Sequence, residues 1–326
     1  MSKEMHLDDK ALTKDATREP IRAGFGRGLV KAGQLNSQVV ALCADLTDSV
    51  KMGAFAKEFP DRFVEVGIAE QNLVTVGSGM SLMGKVPFVS SYAAFSPGRN
   101  WEQIRTTVCL NEANVKIVGS HAGLMTGPDG ATHQMLEDIA LMRVLPNMTV
   151  VVPCDSIEAE KATLAIAGHK GGAYLRLARE KTPVLTTADT PFALNKAQVF
   201  RPGKDVTIVA CGVMVHQALA AAEALAKKGI EAEVINCPVI KPLDTITLLA
   251  SIRKTGKVVT CEEGQINGGL GGAVAEMLGE HHPVAMRRVG MRDRFGESGT
   301  PDELLEHFEL TAPHVAKTTN ELIKNT

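Results

Sequence analysis

The sequence predicts an α/β protein made of two consecutive domains with mainly parallel sheets. Two observations carry this prediction. Short runs rich in Val and Ile alternate with longer amphipathic stretches, the pattern of strands and covering helices in a parallel sheet. The alternation breaks once, at the proline-containing connector EKTPVLTTADTPFALNKAQVFRPG, and resumes at KDVTIVACG. A length of 326 residues accommodates two domains of ordinary size. The expected division is an extension over 1–14, a first domain over 15–185, a linker over 186–202 and a second domain over 203–326.

In the first domain, QVVALCAD, RFVEVG, KVPFVSSY, VKIVGS and MTVVVPCD read as strands. Their near-continuous apolar character suits strands covered on both faces. AEQNLVTVGSGMSLMG and SIEAEKATLAIAG read as the helices between them. In the second domain, VHQALAAAEALAKKG sets Leu219, Ala222, Leu225 and Ala226 at helical spacing and stops at Gly229. EAEVINCPVI and GKVVTCEEG read as strands, and GGLGGAVAEMLGE as a helix. The segment PDELLEHFELTAPHVAKTTNELIKN is helical, its first helix opening on Thr300 and Pro301 with an acidic first turn.

Composition narrows the function. With 35 Lys+Arg against 37 Asp+Glu the formal charge is −2, so neither nucleic acid nor an anionic membrane is expected as a partner. A hydrophobic fraction of 44% excludes a disordered chain. No apolar run approaches the ~20 residues that span a bilayer. The polar opening MSKEMHLDDK does not read as a signal peptide, so a cytoplasmic location is expected. The six cysteines form no CxxC pair and read as reduced, buried thiols rather than a disulfide framework or a zinc site.

Three segments could carry chemistry. In VEVGIAEQNLVTVGSGM a strand ends at Gly67 and a helix begins near Glu70. That places Glu70 beyond the carboxyl end of a strand, where ligands bind in open parallel sheets, although a glutamate there could simply complement the helix dipole. In IVGSHAGLMTGPDGATHQMLED a glycine-rich loop carries His121, Asp129 and His133, with Thr132 as the expected N-cap of the next helix. The two imidazoles suit phosphate binding and proton transfer, or a structural role; their spacing is not that of a helical zinc site. In VPFVSSYAAFSPGRNWEQIR, Tyr92 and Phe95 could flank a flat heterocycle or pack into a core.

With GIAEQN, SYAAF and SHAGLMTGPDGATHQ in this order, the chain resembles the thiamine-diphosphate enzymes of the transketolase family. The stretch from KDATR to about residue 185 is similar to the pyrimidine-binding domain, and the remainder, GGLGGAVAE included, to the family's C-terminal domain. The resemblance implies that Glu70 is catalytic and hydrogen-bonds the aminopyrimidine ring of the cofactor, while Tyr92 and Phe95 hold that ring. It implies that Asp45, in CADLTDS, lies by the cofactor and Ser49 by the substrate phosphate. Arg18 in DATR, His121, and Arg179 in LRLARE would receive the sugar phosphate, with Arg179 rather than nearby Arg176 as the aligned residue. Asp129 and His133 would lie near the substrate hydroxyls and the reacting carbonyl, His133 as a catalytic residue. Gly98 stands where many members carry a further aromatic.

Family members hold the cofactor diphosphate through magnesium (or calcium) with a GDG sequence and a downstream Asn, and GDG does not occur here. The resemblance therefore implies the C-terminal subunit of a split transketolase. A separate N-terminal subunit would supply the diphosphate and metal site, this chain no metal ligand, and the pair would form a heterotetramer. Its reaction would be transfer of a two-carbon ketol unit from a ketose phosphate to an aldose phosphate, as in pentose phosphate interconversion. The alternatives are a 2-oxo-acid dehydrogenase β-type subunit, a 1-deoxyxylulose-5-phosphate synthase-like subunit, or a non-catalytic regulatory subunit. The Arg18, His121 and Arg179 set favours sugar phosphates over a plain 2-oxo acid. GGLGG lacks the GxGxxG spacing of a dinucleotide site and reads as close helix–strand packing.

Overall fold

The computed structural model describes residues 5–325. The first half of the chain contributes β1 (Arg18–Pro20), α1 (Ile21–Leu35), β2 (Val39–Cys43), α2 (Gly53–Glu58) and β3 (Phe63–Glu65). There follow α3 (Glu70–Leu82), β4 (Val86–Tyr92), α4 (Trp101–Gln103), β5 (Lys116–Ser120) and α5 (Asp138–Arg143). β6 (Met148–Val151), α6 (Ser156–Gly168), β7 (Gly172–Arg176) and β8 (Lys181–Pro183) complete it. Each of the five strand segments named from the sequence forms a strand, and both named helices form as α3 and α6.

The second half runs β9 (Gln198–Arg201), β10 (Val206–Ala210), α7 (Met214–Ala226), β11 (Ala232–Asn236) and β12 (Val239–Lys241). Then come α8 (Thr245–Thr255), β13 (Lys257–Gln265), α9 (Leu270–His281), β14 (Ala285–Met291), α10 (Pro301–His307) and α11 (Ala312–Lys324). α10 opens on a capping box, with the Thr300 hydroxyl accepting from the Glu303 amide and the Glu303 carboxylate accepting from the Thr300 amide.

EAEVINCPVI is not one strand. It breaks at Cys237–Pro238, because proline cannot donate to a ladder, and its two halves enter different sheets. β11 joins the five-stranded sheet β14-β13-β10-β11-β9, whereas β12 crosses over and closes the edge of the sheet β12-β6-β7-β5-β4-β2-β3 by pairing antiparallel with β6. From β6 to β3 that second sheet is wholly parallel. β1 and β8 form a separate two-stranded ladder.

The apolar runs are continuous because both faces are buried. In β2, Val39, Ala41 and Cys43 face one core layer while Val40 and Leu42 face the other, as the two-residue strand period requires. The first layer gathers α1, α6, α7 and α11; the second gathers α3, α5, α8 and α9. Each layer is continuous through both domains. All six cysteines are free and buried in these layers. The glycines of GGLGG fit the close-packing reading: a Cβ on Gly271 would come 2.9 Å from both Arg288 and Thr260. The Glu262 carboxylate caps the helix by accepting from the amides of Leu270 and Gly271, each at 2.8 Å. Among the described residues no helix is long and apolar enough to cross a membrane.

Candidate active site

The parallel strands β2, β3, β4, β5 and β7 end along one edge of their sheet, and the residues singled out from the sequence, Arg18 apart, follow from that edge. Glu70 opens α3 with its side chain 2% exposed. Its Oε2 accepts from Arg99 Nη1 at 2.6 Å and its Oε1 from the hydroxyl of Ser91, on β4, at 3.3 Å. The Glu70 carbonyl accepts from Asn100 Nδ2 at 2.7 Å, so the start of the helix is fixed as well as the carboxylate. Leu73 and Val74, buried one turn on, exclude water from behind it.

An aromatic wall stands beside this carboxylate. Tyr92 ends β4 and Phe95 follows it by three residues, their rings stacked at 6.0 Å. His121 stacks on Tyr92 at 3.7 Å, and His133 presents its edge to Phe95 at 5.4 Å and to Tyr92 at 6.2 Å. A side chain at position 98 has no room, since a Cβ there would lie 2.1 Å from the Ala94 carbonyl oxygen. The Arg99 guanidinium instead lies over Phe95, 4.7 Å from its centroid.

On the other side of His121 is a cationic floor. His121 is 2% exposed and sits at φ +55°, a left-handed conformation that is uncommon outside glycine and often marks functional loops. Its Nδ1 pairs with the Ser120 hydroxyl at 2.9 Å and its Nε2 lies 3.4 Å from Arg22 Nη1. Burial, then the charges of Arg22 and Arg179, push its pKa down to about 3, so the ring is neutral and offers a hydrogen bond rather than charge. Arg22 donates to the carbonyls of Arg179, at 3.2 Å, and of Ser49. Burial and the nearby Arg179 draw its guanidinium below the ordinary arginine value. Arg179 donates to the Thr126 carbonyl at 2.8 Å and lies 3.7 Å from the Asp129 carboxylate.

Arg18 lies in the β1–β8 ladder and donates to the Lys181 carbonyl at 3.2 Å, while Arg22, the second residue of α1, stands beside the imidazole of His121. One expectation changes. Thr132 does not cap a helix. Its hydroxyl pairs with His133 Nδ1 at 2.9 Å, and α5 begins only at Asp138. Asp45, at φ +58°, is exposed, and its amide donates to Glu65 Oε1 at 2.7 Å. The same oxygen accepts from the Gly67 amide at 3.0 Å, so Glu65 ties the Asp45 loop to the approach to Glu70.

Residues 20–184 match the pyrimidine-binding domain of transketolase and residues 195–315 match the transketolase C-terminal domain. The chain belongs to the transketolase family. It is 43% identical over 294 residues to the 6-deoxy-6-sulfo-D-fructose transketolase subunit SqwH of Clostridium sp. (strain MSTE9), covering 90% of this chain and 91% of that one. It is 41% identical over 309 residues to a putative transketolase C-terminal section of Methanocaldococcus jannaschii, covering 93% and 96%. Among solved structures, a split-gene transketolase described as an inactive beta4 tetramer superposes with a TM-score of 0.88 at 46% identity, covering 94% of this chain and 98% of that one.

In this transketolase-family chain Arg176 and Arg179 have separate surroundings. Arg176 is 3% exposed and holds Asp138 at 3.0 Å and the Glu263 carboxylate at 3.4 Å, joining the two domains. Tyr174 donates to the same Asp138 at 2.7 Å. Sequence reasoning missed Arg22, Arg99 and Glu65. No local signal marked them: Arg18 lies in β1 and Arg22 at the start of α1, so their four-residue spacing is not a helical turn.

Proposed function

We propose that this chain is the C-terminal, pyrimidine-binding subunit of a split transketolase, acting with a partner that carries the diphosphate and magnesium (or calcium) site, the two forming a heterotetramer. The observation that carries the reading is the juxtaposition of buried Glu70 with the Tyr92–Phe95 wall and the Arg22–His121–Arg179 floor. Thiamine diphosphate fits these residues. A carboxyl group with an oxygen lone pair left over beyond Arg99 and Ser91 can share a proton with a ring nitrogen, and two stacked aromatics suit a flat ring. When bound, the cofactor supplies an acidic carbon and an electron sink for carbon–carbon cleavage.

This chain's residues do the rest. Glu70 holds a proton shared with the ring nitrogen, and Tyr92 and Phe95 fix the plane of the ring. Asp45 lies by the cofactor, at the strand edge that Glu65 organises. Arg179 and Arg22, with neutral His121 and the Ser49 segment, receive the phosphate of the sugar; guanidinium forks match that dianion. Asp129 and His133, on the glycine-rich loop, face the substrate hydroxyls and carbonyl, where an imidazole can move a proton. The substrates follow from the anionic end: ketose and aldose phosphates, with pentose phosphates as the first choice. The Clostridium relative's sulfofructose, a sulfonate in place of a phosphate, belongs in the same test.

The test is turnover by this chain assembled with its diphosphate-binding partner. Xylulose 5-phosphate with ribose 5-phosphate is expected to react and pyruvate is not; 6-deoxy-6-sulfofructose is the second donor. Exclusive turnover of pyruvate overturns the substrate class. Tight, magnesium-dependent cofactor binding by this chain alone overturns the divided site.

A further inference from the structure

Gln134 lies in the loop that carries Asp129 and His133, but its side chain runs to the other domain. It is 5% exposed. Its Nε2 donates to the Gly127 carbonyl at 3.0 Å and to the Glu297 carbonyl at 2.9 Å. The first acceptor is in the loop itself and the second lies between β14 and α10. The contact is close: a Cβ on Gly296 would fall 1.8 Å from Gln134 Oε1. That oxygen is buried without a hydrogen-bond partner, a cost that an apolar side chain would avoid.

Two more contacts reach the loop from the second domain. The Met125 amide donates to Glu263 Oε1, at the end of β13, at 2.6 Å, and a Cβ on Gly123 would meet the Glu263 carboxyl carbon at 2.3 Å. A Cβ on Gly130 would come 2.5 Å from the Ser298 hydroxyl. The loop also closes on itself: the Gly123 amide donates to the Met135 carbonyl, and the amides of His133 and Gln134 both donate to the Gly130 carbonyl. Gly123, Gly127 and Gly130 all have positive φ, near +75°. Glycines there have little preference of their own, so the path from Gly127 to His133 takes its shape from what it rests on.

We propose that the second domain shapes the substrate-facing loop through Gln134 and Glu263. Gln134 is a positioning residue that sets where Asp129 and His133 stand, and the second domain is thereby part of the specificity apparatus. This rests on the reading of Asp129 and His133 given above.

The test uses Gln134→Leu, which keeps bulk and removes both donations, in the assembled enzyme. KM for the phosphorylated ketose is expected to rise about tenfold with a smaller change in kcat and no change in the cofactor concentration giving half activity. Hydrogen exchange should accelerate at the amides of Met125, Gly130 and His133 and stay slow in β5. Gly296→Ala, which presses on Gln134 from the second domain, should give the same pattern and carries the test if Gln134→Leu does not fold. Unchanged KM with unchanged loop exchange overturns the proposal. So does a joint loss of kcat, KM and cofactor affinity that tracks a lower Tm. If wild-type enzyme turns over no ketose phosphate, the functional reading fails, and loop exchange still decides the positioning claim.

Discussion

Glu70 and Arg99 form a 2.6 Å ion pair across unequal surroundings, the carboxylate side chain 2% exposed and the guanidinium 49%. Removing the guanidinium strands a buried charge, whereas removing both members does not. Arg99→Met is expected to lower stability by about 1–2 kcal/mol, less than a fully buried pair would show because Arg99 is half in water. Glu70→Gln/Arg99→Met should recover part of that loss. Urea unfolding of the two single variants and the double checks this; strictly additive effects would contradict it.

Catalysis should follow the same carboxylate. Glu70→Ala in the assembled enzyme is expected to lower kcat by roughly two orders of magnitude or more, the scale of a lost proton-handling group. Full activity in that variant would end the catalytic reading of this chain.

Arg22 and Arg18 separate cleanly. Arg22 borders His121 and the Ser49 segment, while Arg18 is held in the β1–β8 ladder. Arg22→Met should raise KM for the sugar phosphate about tenfold or more, and Arg18→Met about twofold or less. Steady-state kinetics with matched phosphorylated and unphosphorylated ketoses reads the difference.

His121 makes stability depend on acid. Its folded pKa, about 3, lies below the ordinary 6.5, so between those values the unfolded chain binds a proton that the folded state does not. The contribution of the neutral, buried ring is complete above pH 6.5 and is lost as pH falls toward 3. From pH 6.5 to 5 the loss is about 2 kcal/mol. His121→Asn, which tolerates the left-handed backbone, should remove that slope; the two Tm–pH curves should converge on acidification.

Arg176 holds two buried carboxylates, Asp138 and Glu263, with the domains on either side. Arg176→Met is expected to cost about 3–5 kcal/mol, since it leaves both without their cation. Denaturant unfolding followed by probes in each domain should show the loss in both.

The strands were legible because burial on both faces leaves little but Val, Ile and their like; Glu70 and His121 were legible because each follows such a run within a few residues, and His133 because it shares a glycine-rich loop with His121. Tertiary juxtaposition was not. Arg22 meets His121 across 99 positions of sequence, Arg99 reaches Glu70 across 29, and Gln134 reaches Glu297 across 163. No local pattern encodes those distances. The crossing of β12 was hidden for a different reason: VINCPVI is apolar but for Asn236, so hydrophobicity runs on where the hydrogen-bond ladder stops.

That crossing sets the limits of what can be cut. The family matches leave a gap between residues 184 and 195, which invites division into two pieces. Yet Val239–Lys241, well beyond the gap, covers the rim of the seven-stranded sheet at β6. A fragment ending at 185 bares that rim and offers it to any neighbouring chain. The two matched modules share a sheet, and a cut at their apparent seam would take a strand from the first with the second.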